Sequence, residues 1–585
     1  MVAAIVEPSG QTLQVSIGNM PVTNSVQSSG SPLPIQQIAS QLGILEEDLE
    51  LYGKYAAKLP VELNSPDATP RRGKYIGVTA INPTPFGEGK TVVSIGLAMG
   101  LAKRAKRSVV TLRQPSLAPV FGIKGGGAGG GRSRVIPSED INIHFTGDIH
   151  AIAAANNLLA AMLDNHCERG LEPRVNSSDI TWRRAIDISD KGLAHIETGL
   201  NNVPMAPQRE TGFDLTAASE VMSVLALATD LQDLRRRLGA IVVTSPHAAQ
   251  MVTAEQIGAA GAMTVLLRKA LMPNLVQTIE NTPAIVHAGP FANISHGNSS
   301  VIADRIALQL ADYVVTESGF GSDLGAEKLF NIKCRVAGIA PSAEVLVCTV
   351  RGLKYHSGQF DVKPGRPLPE DLLIENLSAL ECGIANLSGH LENLRQFGVP
   401  VVVAINRFPT DTDAELRLIE SLAIQAGAAR VARVESFARG GEGALELADA
   451  VIEACEEKSQ FRSLYSLDLS YEAKLETIAK QVYGASGIEV SPDVRALLAG
   501  FESKGYGGLP ICVAKTQYSL SHDPKLLGRP NGFVVPIKEV RLCAGAGFVL
   551  ATCEGITLMP GLPKNPAARQ LDIGPNGEIV GLKTE

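Results

Sequence analysis

Residues 75–91 read YIGVTAINPTPFGEGKT, and this stretch decides the fold of the chain. An apolar, β-rich run stops at two prolines and delivers Gly89, Lys90 and Thr91 into a second apolar run. The N–H groups of a glycine-rich turn and of a helix N-terminus point at a bound anion. The order of strand, turn and helix therefore predicts a phosphate-binding loop, in which Lys90 bridges the terminal phosphates and the Thr91 hydroxyl holds Mg²⁺.

The loop departs from the pattern GxxxxGK[ST] at its first position, where Thr84 replaces glycine. A strand and a helix joined by a plain tight turn is the alternative, because short motifs also occur by chance. Two further glycine clusters downstream favour the phosphate loop. We assign the whole loop to nucleotide binding: Thr84, Pro85, Phe86, Gly87, Glu88, Gly89, Lys90 and Thr91.

Composition and charge exclude several classes of protein. The chain has 585 residues, of which 45% are hydrophobic and 19% charged, as in ordinary globular proteins. Its 53 basic and 60 acidic side chains give a net charge of -7, which supplies no field for holding a polyanion. We therefore expect no nucleic-acid partner. We also expect no membrane partner, because no apolar run is long enough to cross a bilayer.

Cysteine usage and the first residues predict a cytoplasmic location. The eight cysteines form no CxxC pair, so we expect them to be reduced. Residues 1–31 contain no Lys or Arg, which argues against a secretory or organelle-targeting peptide.

The chain is too long for a single core. Short β-branched runs alternate with helical stretches at residues 108–112, 240–244, 284–287, 313–316, 344–350 and 401–406, and residues 33–58 look helical. This alternation favours an α/β fold with a P-loop NTPase-like, doubly wound and mostly parallel sheet. We predict a disordered tail over 1–31, a nucleotide-binding domain over 32–370, a smaller α/β domain over 371–465 and a C-terminal α+β domain over 466–585, with a hairpin at Asn576-Gly577.

A second glycine cluster follows the predicted strand at 108–112. Residues 121–134 read FGIKGGGAGGGRSR, and glycine is the residue that loses most backbone entropy on folding. Such a run indicates a backbone that turns with positive φ or approaches a ligand, although a flexible surface loop is the alternative. The neighbouring cations favour an anionic ligand: Arg113, Lys124, Arg132 and Arg134.

Other polar stretches follow predicted strands, where an α/β site is assembled. They lie at residues 290–300 and 316–328. Residues 406–409 resemble a guanine-binding NKxD only superficially, because Pro409 occupies the acidic position. His144 and His150 are six residues apart and fall on different helix faces, so we expect no metal pair there.

These blocks together resemble the formate–tetrahydrofolate ligase (10-formyltetrahydrofolate synthetase) family, from about residue 31 to residue 582. The motifs occur in the family order: TPxGEGKT at 84–91, PSLxPVFGIKGG at 115–126, EDINxHFTGD at 139–148, ETGFD at 210–214, PNLVQT at 273–278, GPFANI at 289–294, GFGxDLGAEK at 319–328, FPTDT at 408–412 and AKTQYS at 514–519. Chance does not assemble such a set.

The resemblance implies an ATP-dependent C–N ligase of one-carbon metabolism that uses formate and tetrahydrofolate. Formate is a poor electrophile, so the γ-phosphoryl group of MgATP is first transferred to it, and the N(10) amine of tetrahydrofolate then attacks the formyl phosphate. The implied catalytic residues are Lys90, Arg113 and Gln114, of which the two cations stabilise the transferring phosphoryl group. The resemblance also implies a monovalent cation, K⁺ or NH₄⁺, and a homotetramer.

The acceptor end departs from the family pattern. Gln114 stands where family members carry an acidic residue, and an amide cannot accept a proton. Arg132 replaces a tyrosine, and Phe437 replaces a tryptophan that stacks on the pterin with the residue matching Phe408. The implied substrate-binding residues are Gly125, Gly126, Arg132, Phe408 and Phe437.

These departures leave two alternatives to the standard ligase. A divergent relative could form an acyl phosphate and hand it to another amine, or start from another small carboxylate. A non-catalytic ATP-binding regulator is the other alternative. Regulators with this kind of loop usually carry an extra lysine where this chain has Pro85, which argues against the regulator.

Overall fold

The computed structural model describes residues 2–6, 12–16, 31–64, 73–123, 126–204, 206–248, 250–362 and 368–582. Most of the predicted tail at 1–31 lies outside these segments. Two pieces of it, β1 (Val2–Val6) and β2 (Thr12–Ser16), form an antiparallel pair.

Strands and helices alternate through most of the chain. The further strands are β3 (Glu50–Leu51), β4 (Ala57–Lys58), β5 (Lys74–Ala80), β6 (Ser108–Leu112), β7 (Gly129–Gly130), β8 (Ser133–Ile136), β9 (Arg184–Ile186), β10 (Ile196–Thr198), β11 (Arg209–Thr211), β12 (Phe213–Leu215), β13 (Asn274–Thr278), β14 (Pro283–Val286), β15 (Tyr313–Gly321), β16 (Ala343–Cys348), β17 (Val401–Asn406), β18 (Arg430–Val434), β19 (Gly487–Val490), β20 (Ile511–Ala514), β21 (Val534–Ile537), β22 (Glu539–Cys543), β23 (Phe548–Thr552), β24 (Asp572–Ile573) and β25 (Ile579–Val580). The helices are α1 (Ile35–Gln41), α2 (Lys90–Lys103), α3 (Leu117–Phe121), α4 (Ser138–Asn142), α5 (Asp148–Glu168), α6 (Glu220–Leu227), α7 (Leu231–Ala240), α8 (Ala260–Leu267), α9 (Val301–Leu310), α10 (Cys334–Ala337), α11 (Val350–His356), α12 (Glu370–Leu373), α13 (Leu377–Gln396), α14 (Asp413–Gln425), α15 (Ser436–Arg439), α16 (Leu445–Ala454), α17 (Tyr471–Gln481) and α18 (Pro492–Phe501).

A large central sheet organises the molecule. Its strands run in the order β18-β17-β16-β5-β15-β6-β14-β13-β4-β3, and β8 also pairs with β13. The strands from β18 to β14 are parallel, whereas β13, β4 and β3 continue the sheet antiparallel. The prediction of a mixed α/β fold with a mostly parallel sheet is therefore confirmed. In this order β15 lies between β5 and β6.

Both faces of the central sheet are covered. Ile76 and Val78 of β5 join a buried cluster that includes Leu97 of α2, while Tyr75 joins a different cluster with Leu310 of α9. Side chains of a strand alternate between its two faces, so buried runs such as β5 pack helices on either side.

Two local predictions are wrong. The helix predicted over 33–58 ends at Gln41, because Gly43 adopts a φ of 76° and turns the chain toward β3 and β4. The run at 240–244 is not a strand; Val242 and Thr244 make only isolated bridges, to Thr253 and Ile180.

The central sheet also crosses a predicted domain boundary. β17 and β18 come from the segment at 371–465, yet they extend the same sheet as β5. The last segment has a buried cluster of its own, built on α17, α18 and the strands β19 to β23. The predicted hairpin at Asn576-Gly577 is confirmed, since β24 pairs antiparallel with β25 and Gly577 has a φ of 84°.

All eight cysteines are free. Within the described segments, helices that are long and apolar enough to span a bilayer do not occur.

Candidate active site

The residues assigned to catalysis meet at the carboxyl ends of three adjacent strands. The phosphate loop follows β5, Arg113 follows β6, and Glu317 lies on β15 between them. Parallel strands end at the same edge of a sheet, so residues far apart in sequence become neighbours there. The sheet order thus brings the two predicted halves of the site together.

The phosphate loop has the backbone geometry that its glycines predict. Gly87 and Gly89 have φ values of 75° and 73°, in the left-handed region that favours glycine. Gly89 caps α2, and Lys90 is the first residue of that helix. A Cβ atom at position 89 would lie 2.4 Å from Asn406 Nδ2, so a side chain there would displace its neighbour.

Glu88 fastens the loop to two neighbouring strands. Its Oε1 accepts hydrogen bonds from the Thr84 N–H (3.2 Å) and hydroxyl (2.7 Å), and its Oε2 accepts one from the Thr349 hydroxyl at 2.7 Å. Asn406, at the end of β17, donates to the Glu88 carbonyl at 3.0 Å. Thr84 therefore has a role at the position where the motif has glycine, because its hydroxyl and N–H both bind the Glu88 carboxylate and close the loop.

Glu317 links the phosphate loop to Arg113. The Thr91 hydroxyl donates to Glu317 Oε2 at 2.7 Å, and the Arg113 guanidinium lies 3.7 Å from Glu317 Oε1. Arg113 also donates to the Pro290 carbonyl at 3.2 Å. The Arg113 side chain is 25% exposed and so can be reached by a ligand. A Cβ at Gly319 would lie 3.1 Å from this guanidinium, so glycine lets the cation approach the backbone.

Gln114 is buried beside Arg113. Neither its Oε1 nor its Nε2 has a hydrogen-bond partner among the described residues. Buried amides normally have partners, so this side chain is under-satisfied where it stands.

The second glycine cluster packs against the first turn of α2. Its strands β7 and β8 form a hairpin, and the Ser133 hydroxyl donates to the Val92 carbonyl at 2.6 Å, directly after the phosphate loop. A Cβ at Gly126 would lie 2.0 Å from Asn142 Nδ2, so this glycine is required by close packing. Lys124 and Gly125 lie outside the described residues.

Two of the predicted acceptor residues, Arg132 and Phe437, lie at the same hairpin, and Phe408 follows β17. The Arg132 N–H donates to the Phe437 carbonyl at 2.8 Å, and the Phe437 side chain, on α15, is 53% exposed. Phe408 is half-buried after β17, and the guanidinium carbon of Arg351 lies 3.7 Å from its ring centroid. The structure thus brings the backbones of Arg132 and Phe437 into contact.

A cavity of about 360 Å³ lies beside the start of α5, and His144, His150 and Asp187 are among the residues that line it. Burial raises the pKa of Asp187 to about 6. Its carboxylate accepts hydrogen bonds from the Ser116 hydroxyl (2.7 Å) and the Leu117 N–H (2.8 Å), which fixes the turn that follows Arg113. His144 and His150 line the same cavity, although a spacing of six residues predicts different helix faces for them.

The donor set beside the phosphate loop suits Mg²⁺. Thr91 and Glu317 supply a hydroxyl and a carboxylate, which are the hard oxygen ligands that this ion prefers. Across the described segments, clusters of three or more His, Cys, Asp or Glu side chains that could hold a metal unaided are absent.

Sequence reasoning missed Glu317, Thr349 and the role of Asn406. For Thr349 and Asn406 the signal available was position, because Thr349 directly follows β16 and Asn406 ends β17, whereas Glu317 lies within β15, where its pairing with β5 becomes irregular. Glu317 falls inside the polar stretch 316–328, but no local pattern shows that it faces Thr91, which is 226 residues away in sequence.

The sequence is similar to proteins of one named family. The family model described as formate–tetrahydrofolate ligase matches residues 23–583. The chain is 53% identical over 549 residues to the formate–tetrahydrofolate ligase of Roseiflexus sp. (strain RS-1), covering 94% of this chain and 97% of that protein. It is 52% identical over 550 residues to the one of Desulforamulus reducens and 50% identical over 549 residues to the one of Cutibacterium acnes, each at 94% and 97% coverage.

Proposed function

The chain belongs to the formate–tetrahydrofolate ligase family and is an ATP-dependent C–N ligase that formylates tetrahydrofolate with formate, and we propose that the reaction runs through formyl phosphate. A formate oxygen attacks the γ-phosphorus of ATP, the bond to the bridging oxygen breaks, and ADP leaves. The N(10) amine of tetrahydrofolate then attacks the formyl carbon. The C–O bond to phosphate breaks, and the amine proton leaves with the phosphate.

The observation that carries the proposal is the contact of Thr91 and Arg113 with one carboxylate, Glu317. It holds the end of the phosphate loop next to a partly exposed guanidinium. A formate anion bound at Arg113 would face the terminal phosphate of a nucleotide held by Lys90 and by the N–H groups of the loop. Positioning and charge stabilisation are the main sources of catalysis in phosphoryl transfer.

Mg²⁺ would be held by Thr91, with Glu317 beside it and the nucleotide phosphates completing its ligands. Bound there, it would neutralise charge on the transferring phosphoryl group. Lys90 and Arg113 would place two further positive charges on the same group. The catalytic role of Gln114 is restricted to hydrogen bonding, because an amide does not take up a proton. The monovalent cation, K⁺ or NH₄⁺, is proposed on the family resemblance.

The acceptor site would lie between the glycine hairpin and the loop after β17. Phe408 and Phe437 would stack on the pterin, and the exposed face of Phe437 supports this role. Gly126 and Arg132 would border the same space. Closing it by the hairpin would protect formyl phosphate from water while the amine approaches.

The fold itself supports a P-loop NTPase-like, doubly wound description, since β5 is followed by the phosphate loop and helices cover both sheet faces. We propose that residues 32–370 form the nucleotide-binding domain and that 371–465 contributes the folate site through Phe408 and Phe437. A homotetramer and a cytoplasmic location are further proposals, which rest on the family and on cysteine usage.

The test gives purified protein MgATP, formate and tetrahydrofolate and measures ADP and 10-formyltetrahydrofolate together. Equal amounts of both products are expected. ADP without the formylated folate would favour a different acceptor, which the buried, unpartnered Gln114 would then explain. Absence of both products would favour the regulator.

A further inference from the structure

Arg351, on α11, lies between two aromatic rings from different loops. Its guanidinium carbon is 3.7 Å from the centroid of Phe408 and 4.8 Å from the centroid of Phe86. Phe86 belongs to the phosphate loop, and Phe408 belongs to the loop after β17. Tyr355, one turn further along α11, meets the edge of Phe86 with a centroid distance of 6.3 Å.

The same two loops supply the charges that face Arg351. Burial lowers the pKa of the Arg351 guanidinium, while Glu88 of the phosphate loop and Asp411 of the other loop raise it. Asp411 also accepts the Phe408 N–H at 2.7 Å, so it fixes the backbone that carries the ring. The Arg351 Nε atom is buried and has no hydrogen-bond partner among the described residues. The rings of Phe86 and Phe408 and the carboxylates of Glu88 and Asp411 therefore stabilise the Arg351 cation.

Each loop thus contributes one ring and one carboxylate to a single guanidinium. A cation stacked on an aromatic face is attracted by the ring, and more strongly when water is excluded. A shift of Phe86 or Glu88 would therefore alter the ring contact or the charge that stabilises Arg351. A shift of Arg351 would in turn alter the cation–π contact that packs against the Phe408 ring. The two loops also meet where Asn406 donates to the Glu88 carbonyl at 3.0 Å, but that contact involves the Glu88 backbone and does not touch the Phe408 ring, which Arg351 does.

We propose that Phe86 and Arg351 are positioning residues that couple nucleotide binding in the phosphate loop to folate binding at Phe408. This inference rests on the proposed function, which assigns the two ligands to these loops. A nucleotide that orders the phosphate loop fixes Phe86 and Glu88, and through Arg351 it fixes the ring on which the pterin stacks. By linkage, folate strengthens nucleotide binding by the same factor.

Isothermal titration with tetrahydrofolate, without formate so that no reaction occurs, tests the coupling. The titration is run with and without saturating Mg²⁺ and the non-hydrolysable analogue AMP-PNP. In the unaltered protein we expect the analogue to tighten tetrahydrofolate binding about fivefold, within the range of one cation–π contact. In Phe86→Ala and Arg351→Gln the ratio should fall below twofold, and Phe86→Tyr, which keeps the ring, should retain it.

Two results overturn the coupling: a ratio near one in the unaltered protein, or a fivefold ratio in a Phe86→Ala protein that melts at the unaltered temperature. The second variant, Arg351→Gln, tests the same contact from its other side if Phe86→Ala does not fold. Failure of the proposed function is distinguishable, because then tetrahydrofolate binds neither in the absence nor in the presence of the analogue.

Discussion

Replacing Glu317 by glutamine tests how the site is assembled. The substitution keeps the size of the side chain but removes the charge that lies 3.7 Å from Arg113, and it weakens the 2.7 Å contact with Thr91. At an effective dielectric constant of about 20, a charge pair at this distance is worth about 4 kcal/mol. The Arg113 side chain is 25% exposed, so solvent screening reduces the loss to about 2–3 kcal/mol.

A loss of this size in transition-state stabilisation lowers kcat/KM for ATP roughly 30- to 150-fold. The assay measures ADP release against ATP concentration at saturating formate and tetrahydrofolate, at several Mg²⁺ concentrations. The matched control is Glu139→Gln, which removes an exposed carboxylate on α4 and should change the rate less than twofold. A Glu317→Gln enzyme within twofold of the unaltered one at every Mg²⁺ concentration would refute the reasoning.

The other predictions concern backbone, pH and the acceptor end. The kcat/KM for ATP of Gly89→Ala should be at least tenfold lower than that of Gly87→Ala. Both glycines have a positive φ, but only position 89 lacks room for a Cβ atom. Equal values of kcat/KM in the two variants would contradict this. Burial raises the pKa of Glu220 from 4.5 to about 7, so its contribution to stability is full below pH 4.5 and falls by about 3 kcal/mol as the pH rises to 7. Glu220→Gln should therefore melt higher relative to the unaltered protein at pH 8 than at pH 5, and a constant difference would argue against the shift. Gln114→Glu combined with Arg132→Tyr should raise formylation of tetrahydrofolate, and unchanged turnover would show that these departures do not limit the rate.

The strand, glycine turn and helix at 74–103 could be predicted because their determinants are contiguous. The apolar run of β5, the glycines at 87 and 89 and the apolar helix that follows are all visible within residues 75–103. The strand predicted at 108–112 matches β6 because each residue of it is buried on a sheet covered on both faces. The mostly parallel sheet follows from the same repeated pattern.

The contacts of Glu317 could not be predicted, because they depend on strand order. β15 enters the sheet between β5 and β6, and only that insertion brings its carboxylate to Thr91. The sequence around Asn406 shows only a superficial likeness to NKxD, whereas in the fold the Asn406 amide donates to the Glu88 carbonyl. The apolar periodicity of residues 33–58 continues past Gly43 and so predicts a helix longer than the one that forms. The positive φ of Gly43, which ends the helix, is not visible in that periodicity.

Oxygen transfer from formate tests the central claim most directly. In formyl phosphate one formate oxygen bridges carbon and phosphorus, and it must leave with the phosphate when the amine attacks carbon. The enzyme is therefore incubated with MgATP, tetrahydrofolate and formate labelled with ¹⁸O at both oxygens, and the released phosphate is analysed by mass spectrometry. We predict one ¹⁸O atom in each phosphate formed with 10-formyltetrahydrofolate, and phosphate without the label would contradict the account.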